Sequence, residues 1–287
     1  MHYVEAKSLL TRWNSINIYR GCTHGCIYCD SRSKVYQINH LFEDIEVKKN
    51  APELLESILM KKRKKIMIST GSMSDPYMPI ERKLQLTRKC LEIIDKYGFG
   101  ATVITKSDLI LRDLEILKRI NKKSKCVIQM TLTTYDDNLC KILEPNVCST
   151  KRRFEVLQIL KENNIPTIVW FTPILPYIND TKENIDGIIN YCIKAGVKGI
   201  VCFDIGLTLR DGNREYYYKM LDKYFPKLSN IYKNKYGNSY DVISNNNEQL
   251  MEYFHKRCEE NNILHYPDDC FNFINEMSNK YEQVSLF

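Results

Sequence analysis

The sequence lacks the long apolar segments that carry a protein into or across a membrane. None of its apolar runs approaches the ~20 residues that a membrane-spanning helix needs. The amino-terminal stretch MHYVEAKSLLTRWNS also lacks the apolar core of a secretion signal. These two absences predict a cytoplasmic protein with no membrane partner.

The chain also lacks internal repeats, low-complexity tracts and the proline- or glycine-rich linkers that mark domain boundaries. Only 11 glycines and 9 prolines occur among the 287 residues. A barrel of ~250 residues fits this length, with some chain left over. The formal net charge of +7 is a mild excess, which permits an anionic partner such as DNA without requiring one.

Cysteine is plentiful but unevenly distributed. The 11 cysteines are an odd number in a chain that shows no secretion signal, which argues against a disulfide framework. Cys22, Cys26 and Cys29 fall within the stretch GCTHGCIYCD, and the next cysteine along the chain is Cys90. A fourth cysteine is therefore missing where a closed set of thiolate ligands would need it.

Three neighbouring thiolates indicate a metal centre, because soft thiolate ligands select zinc, copper(I) or iron–sulfur clusters. A [4Fe–4S] cluster held by three cysteines leaves one iron open to a small molecule. Structural zinc instead needs a closed shell of four ligands, which His24 would complete. The alternative to a cluster enzyme is therefore a zinc-containing nucleic-acid-binding module.

Short β-like runs alternate with helical patterns along most of the chain. Their apolar residues are continuous, as expected of parallel strands that are buried on both faces, and βαβ units of this kind form a doubly wound sheet or a barrel. The predicted strands are 16–21, 64–70, 100–106, 126–134, 166–174 and 197–206. The predicted helices are 81–98, 107–123 with Ser107 as N-cap, 150–164 capped by Thr150, and 181–196 from Thr181 to Gly196.

The pattern changes after residue 206, where helical stretches such as NREYYYKMLDKYF and NNEQLMEYFHKRCEENN follow one another. We therefore expect a core at 1–206 and a carboxy-terminal helical extension at 207–280. We expect the remaining 281–287 to form a tail, because the preceding stretch NEMSNKYE is polar.

The stretch CTHGCIYC resembles the Cys-x3-Cys-x-aromatic-Cys signature of radical S-adenosylmethionine (SAM) enzymes. Further stretches, among them NIYRGCTHGCIYCDSR, ITKSDLILRD and ILEPNVCSTKRR, are similar to the spore photoproduct lyase-like branch, which is often labelled DNA repair photolyase. The resemblance implies a partial (β/α)6 TIM-type barrel. It also implies a [4Fe–4S] cluster, reduced by flavodoxin or ferredoxin, that cleaves SAM to a 5′-deoxyadenosyl radical, which abstracts hydrogen from a substrate.

The resemblance assigns roles to individual residues. Cys22, Cys26 and Cys29 match the cluster ligands, and Tyr28 matches an aromatic residue near the adenine of SAM. Lys106 and Thr131 occupy positions that contact SAM in the lyases. The loop after the second strand supplies polar groups around the SAM amino group; its candidates are Ser69, Ser72, Ser74 and Asp75.

Two departures separate this chain from the true lyases. Ser72 aligns with the cysteine that returns hydrogen to the product, and Asp30 stands where the lyases have tyrosine. An alcohol O–H bond is far stronger than a thiol S–H bond, so serine cannot take over this donation. Cys202 and Cys148 are candidates for a replacement donor, with burial in the core as the alternative for each.

The last five residues, QVSLF, resemble the pentapeptide by which bacterial polymerases and repair proteins bind the sliding clamp. In that motif Gln283 would form hydrogen bonds, and Leu286 and Phe287 would fill an apolar pocket. The alternative is that Leu286 and Phe287 pack against helices of the protein itself.

Overall fold

The computed structural model describes residues 1–277, so the QVSLF motif lies outside the described residues. The strands are β1 His2–Val4, β2 Ser15–Ile16, β3 Tyr19–Arg20, β4 Glu46–Lys48, β5 Met67–Thr70, β6 Gly100–Thr105, β7 Cys126–Thr131, β8 Thr167–Trp170, β9 Gly199–Val201, β10 Gly206–Thr208 and β11 Asp241–Ile243. The helices are α1 Ala51–Lys61, α2 Glu81–Leu84, α3 Leu86–Lys96, α4 Leu114–Lys123, α5 Asp137–Leu143, α6 Thr150–Glu162, α7 Lys182–Ala195, α8 Asn213–Tyr224, α9 Pro226–Tyr236, α10 Asn247–Glu259 and α11 Pro267–Asn275.

Six parallel strands form the main sheet in the order β2-β5-β6-β7-β8-β9. Helices separate consecutive strands along the chain, which gives the partial (β/α)6 TIM-type barrel that the sequence predicted. Every residue of β7 is buried, as its continuous apolar pattern requires. The carboxyl ends of these strands meet on one face of the barrel, where enzymes of this architecture place their chemistry.

Capping explains where the helices start and where three of the predictions differ. Thr181 and Gly196 cap α7 as predicted. The Ser107 hydroxyl accepts a hydrogen bond from the Leu109 N–H, but it caps a 3-10 helix over Asp108–Asp113, and α4 begins only at Leu114. Thr150 is not the cap of α6; the Ser149 hydroxyl accepts from the Arg152 N–H instead. The predicted helix 81–98 is interrupted at Gln85, whose φ of 53° lies in the left-handed region.

The predicted first strand, 16–21, is in fact two short strands in different sheets. β2 pairs with β5 in the main sheet, whereas β3 pairs with β4 in a separate three-stranded sheet of order β1-β4-β3. The chain therefore leaves the main sheet after Ile16 and joins the small sheet through β3. The three cysteines follow β3 directly in the chain.

The region after residue 206 contains strands as well as helices. β10 and β11 pair in antiparallel orientation, which the sequence did not predict. Apolar side chains of α8 and α9 pack against Ile27 and Tyr28 in one buried cluster. In the part of the chain that is described, no helix combines the length and apolar character that a membrane crossing needs.

Candidate active site

The three cysteines lie on a loop that follows β3 on the carboxyl face of the barrel. Cys22 and Cys26 are buried, and Cys29 is half-buried. Gly21 starts the loop with a φ of 83°, and a Cβ at this position would lie only 2.4 Å from the Phe42 carbonyl oxygen. That carbonyl accepts a hydrogen bond of 3.0 Å from the Cys22 N–H, so the glycine permits the close approach that seats the first cysteine.

The loop is also held from the opposite side by the segment that follows α5. The Ile27 N–H donates to the Leu143 carbonyl at 2.9 Å. The Asn146 side-chain amide donates to the Thr23 carbonyl at 2.8 Å, and the Asn146 N–H donates to the His24 carbonyl at 3.1 Å. The sequence EPN thus supports the cysteine loop, a role that the sequence analysis did not assign.

Glu144 is the centre of a buried charged network beneath the loop. It accepts hydrogen bonds from the Tyr28 hydroxyl and from the Arg153 guanidinium, which also donates to the Thr131 carbonyl at 2.7 Å. Burial would raise the pKa of Glu144, but Arg153 and Lys106 more than offset this and lower it. Nothing in the sequence analysis pointed to this pair.

Asp75 and His24 form a second buried pair beside the cysteines. His24 Nε2 lies 3.0 Å from Asp75 Oδ2, and Asp75 also accepts from the N–H groups of Tyr77 and Lys106. Burial raises the pKa of Asp75, but His24 and these N–H donors together lower it to about 2. Both carboxylate oxygens therefore bind the protein itself, which orders the loop after β5.

A cavity of about 590 Å³ opens above the cysteine loop, and we call it the upper cavity. Gly71 lies in its wall with a φ of 103°, and a Cβ there would lie 2.0 Å from the Ile104 carbonyl oxygen. Cys26 and Cys29 line it, together with Phe203, which is exposed to solvent. Other lining residues include Tyr28, Asp30, Ser72, Lys106, Thr131, Trp170, Asp204 and Asp241.

A side pocket of about 110 Å³ adjoins the upper cavity and contacts all three cysteines. Ser72, Ser74, Asp75, Lys106 and Thr131 line it. The Ser74 hydroxyl oxygen is buried there and has no hydrogen-bond partner among residues 1–277. Lys106 Nζ lies 5.8 Å from the centre of the Tyr28 ring, so a cation, an aromatic ring and unpaired polar groups surround the thiols.

Three of the predicted site residues lie elsewhere. Ser69 lines a different cavity at the amino ends of the strands, because it is still inside β5 rather than in the loop that follows. Cys202 is buried, with its Sγ 3.9 Å from Met251 Sδ. Strand alternation would turn Cys202 and Asp204 the same way, but only Asp204 lines the upper cavity, because β9 already ends at Val201. Cys148 Sγ contacts the Lys106 carbonyl at 3.2 Å from outside the upper cavity.

The family model of the radical SAM superfamily matches residues 16–192 of this chain. The chain belongs to the radical SAM superfamily. Its cofactors are accordingly a [4Fe–4S] cluster and SAM, as the cysteine spacing predicted. The donor set agrees with this family, because burial raises the pKa of Cys22 to about 12, and a metal centre supplies the positive charge that stabilises a thiolate there.

Several proteins resemble this chain along most of its length. An uncharacterized protein of Methanocaldococcus jannaschii is 31% identical over 233 residues, which are 80% of this chain and 79% of that protein. An uncharacterized protein of Acidianus two-tailed virus is 27% identical over 236 residues, 76% of each chain. Among solved structures, spore photoproduct lyase complexed with dinucleoside spore photoproduct has a TM-score of 0.64 at 14% identity and covers 92% of this chain and 80% of the lyase.

The alternative of a zinc module finds no support in the geometry. Tetrahedral zinc holds its thiolates about 2.3 Å from the metal and therefore about 3.8 Å from one another. Within the described residues, the only three potential ligands that all approach within 4.8 Å lie at the small amino-terminal sheet and in the loop before β4. Cys22, Cys26, Cys29 and His24 do not converge in this way, and His24 is paired with Asp75.

Proposed function

We propose that this radical SAM enzyme abstracts a hydrogen atom from a base of DNA, at a lesion or a site of modification. The observation that carries the proposal is the upper cavity, which extends from the thiols of Cys26 and Cys29 to an aromatic side chain at its mouth. A substrate in this space would lie next to the pocket that contacts all three cysteines. The cavity thus joins the place of SAM cleavage to the place of substrate binding.

The mouth of the upper cavity suits a planar group. Phe203 is 50% exposed, and its ring centre lies 6.1 Å from that of Trp170 and 6.4 Å from that of Phe271. Aromatic rings held in this way are stacking platforms for nucleic-acid bases. Asp204 and Asp241 line the same wall, where their carboxylates can accept hydrogen bonds from base N–H groups and would repel phosphates, which keeps the backbone outside.

The residues around the thiols suit the binding of SAM. The chemistry supplied by the bound cofactors is one-electron cleavage of the sulfonium to a 5′-deoxyadenosyl radical, with flavodoxin or ferredoxin as reductant. Lys106 offers a cation to the SAM carboxylate, and the Ser74 hydroxyl offers a hydrogen-bond partner to its amino group. Tyr28 is fixed by Glu144 and presents an aromatic ring, and Thr131 adds a hydroxyl.

The upper cavity also distinguishes the proposed reaction from spore photoproduct cleavage. Among the described residues that line it, the only cysteines are Cys26 and Cys29, which the cluster uses. Ser72 lines the cavity where a lyase would place its thiol donor. We therefore expect the substrate radical to be quenched by another route, or the product to be an altered base rather than two restored thymines.

One solved structure supports a nucleic-acid substrate, since spore photoproduct lyase shares this fold and is complexed with dinucleoside spore photoproduct. The formal charge of +7 agrees with approach to a polyanion.

The test is transfer of deuterium from substrate to 5′-deoxyadenosine. Reconstituted enzyme, SAM and a reductant are incubated without oxygen with perdeuterated DNA, RNA or protein from cells grown in deuterated medium. We expect deuterated 5′-deoxyadenosine with DNA. Phe203→Ala should weaken this transfer by raising the KM for DNA, since a stacked base contributes about 1–3 kcal/mol, and should leave SAM cleavage without substrate unchanged.

The matched control is Trp13→Ala, which removes an aromatic ring that is 76% exposed but lies outside the upper cavity. This variant should transfer deuterium like the unaltered enzyme. Deuterium that comes only from protein or RNA would refute the DNA substrate, and equal loss in both variants would refute the role of the cavity mouth.

A further inference from the structure

The small sheet brings two histidines and a glutamate together at the amino terminus. His2 and Glu46 are direct partners in the register of the parallel strands β1 and β4, so their side chains leave the same face of the sheet. The loop before β4 adds His40, whose ring centre lies 4.8 Å from that of His2 at an interplanar angle of 84°. We propose that His2, His40 and Glu46 bind a zinc ion, separate from the cluster.

His2 is oriented as a metal ligand. Its Nδ1 lies 3.0 Å from Asp44 Oδ2, and a carboxylate only accepts, so Nδ1 carries the hydrogen. Its Nε2 therefore presents a lone pair, 4.0 Å from Glu46 Oε2. A carboxylate behind the far nitrogen is the arrangement that fixes the tautomer and raises the basicity of metal-binding histidines. Asp44 is itself held by the amino group of Met1.

His40 has the same arrangement with a different partner. Its Nδ1 donates to the Leu41 carbonyl at 2.9 Å, which again leaves the lone pair on Nε2. That Nε2 is buried and has no hydrogen-bond partner among residues 1–277. A buried nitrogen without a partner is costly, and a cation bound between His40, His2 and Glu46 would satisfy it.

The donor set and its spacing favour zinc. One ligand atom from each of the three residues lies within 4.8 Å of the other two. Zinc bonds of about 2.0–2.2 Å place tetrahedral ligands about 3.4 Å apart, so small side-chain rotations close the site. Two imidazoles and one carboxylate suit zinc, whereas calcium and magnesium prefer oxygen ligands. A water molecule would occupy the fourth position.

The site has a structural consequence for the cysteine loop. Two residues beyond His40, the Phe42 carbonyl accepts the hydrogen bond from the Cys22 N–H, and the Arg32 guanidinium lies 4.3 Å from the centre of the Phe42 ring. Zinc would tie the chain before Phe42 to β1 and β4. It would therefore stabilise the support of the cluster loop and take no part in the reaction.

Zinc binding is tested on the full chain without any tag, with Met1 free and the iron–sulfur cluster reconstituted so that the three cysteines are occupied. Zinc is titrated calorimetrically, and bound metal is counted by mass spectrometry after desalting. We expect one zinc per chain, and His40→Gln should weaken its binding by more than about 100-fold, since even partners of metal ligands affect affinity by about 10–100-fold. Asp44→Asn should weaken zinc binding by about 10–100-fold, because Asp44 is such a partner of His2.

The matched control is His255→Gln, which removes a histidine of α10 that belongs to no such group among the described residues. It should bind zinc like the unaltered protein. Circular dichroism and iron content show whether each variant is folded. Equal zinc affinity of the unaltered protein and folded His40→Gln would overturn the proposal. Cobalt offers an independent probe: thiolate-to-cobalt charge-transfer bands would place the ion on cysteine and also overturn it.

Discussion

Two cavities of the barrel differ in volume and in the residues that line them, and we assign the chemistry to the smaller of the two. The lower cavity, of about 900 Å³, lies at the amino ends of the strands and is bordered by Lys64, Gly98 and Ser124, which precede β5, β6 and β7. Ile104 and Trp170 contribute to both cavities and form the partition between them. The lower cavity has the larger volume, but of the two only the upper cavity is lined by cysteines of the loop. We therefore assign the active site to the upper cavity.

The two cavities differ in how their polar groups are satisfied. Inside the lower cavity the Trp170 indole donates to Gln129 at 2.6 Å, Gln129 donates to Thr102 at 2.7 Å, and Thr102 donates to the Val127 carbonyl at 2.9 Å. This chain of hydrogen bonds is complete. At the thiols, by contrast, the Ser74 hydroxyl has no partner within the described residues. A completed network indicates a structural interior, and an unpaired polar atom indicates space for a ligand.

The largest expected effect is the loss of iron when a thiol of the upper cavity is removed, compared with no loss when a thiol of the core is removed. Cys26→Ala should abolish iron retention and formation of 5′-deoxyadenosine, because only two of the three predicted thiolate ligands remain. Cys90→Ala, in the buried face of α3, should keep the full iron content. Iron analysis and the absorbance of the reconstituted protein measure this. A Cys26→Ala protein that still holds four irons would contradict this difference between the two groups of cysteines.

A smaller effect is expected on the affinity for SAM, where we compare one lysine from each cavity. Lys106→Ala should keep the iron–sulfur absorbance and weaken SAM binding, since a hydrogen bond to a charged group contributes about 1.5–3 kcal/mol, or roughly 10- to 100-fold in Kd. Lys64→Ala, at the rim of the lower cavity, should leave the Kd unchanged. Equilibrium binding of SAM to the reconstituted proteins measures both values. Equal affinities would remove Lys106 from the SAM site.

The smallest effect tests whether the lower cavity is purely structural. Gln129→Leu leaves the Trp170 indole N–H unpaired and should cost about 1–3 kcal/mol in the free energy of unfolding. Iron content and SAM affinity should not change, because Gln129 does not line the upper cavity. Denaturant unfolding and the SAM titration are compared for the same samples. A loss of SAM affinity at unchanged stability would contradict this division.

Much of the barrel was predictable because its signals are local. Thr181 and Gly196 cap α7 within one stretch of sequence, and the apolar run of β7 predicts a buried strand by itself. The cysteine spacing is equally local, so the sequence sufficed to predict the superfamily and its cofactors; Cys22, Cys26 and Cys29 as the cluster ligands stay a prediction. Ser72, Ser74, Lys106 and Thr131, predicted from the resemblance, do surround the thiols in the structure.

The failures have two causes, which are contacts between distant segments and errors in where a strand ends. Glu144 and Asn146 support the cysteine loop from more than a hundred positions away, and nothing in the loop sequence identifies such partners. Cys202 was a candidate donor only if strand alternation turned it inward, but β9 ends at Val201 and Cys202 is buried, which was the alternative. Ser69 was assigned to a loop that begins only after Thr70, so an error of two residues moved it from one cavity to the other.

The way the cysteine loop is held has a consequence for the order of assembly. Its backbone is fixed by the Phe42 carbonyl on one side and by Leu143 and Asn146 on the other. These supports meet only after β2 through β7 have come together, because Leu143 and Asn146 follow β7 in the chain. A nascent chain that has been synthesised only as far as the GCTHGCIYCD stretch contains all three cysteines. It lacks the backbone supports that hold the cysteines in their positions in space. Iron should therefore be inserted late, into a barrel that is already folded.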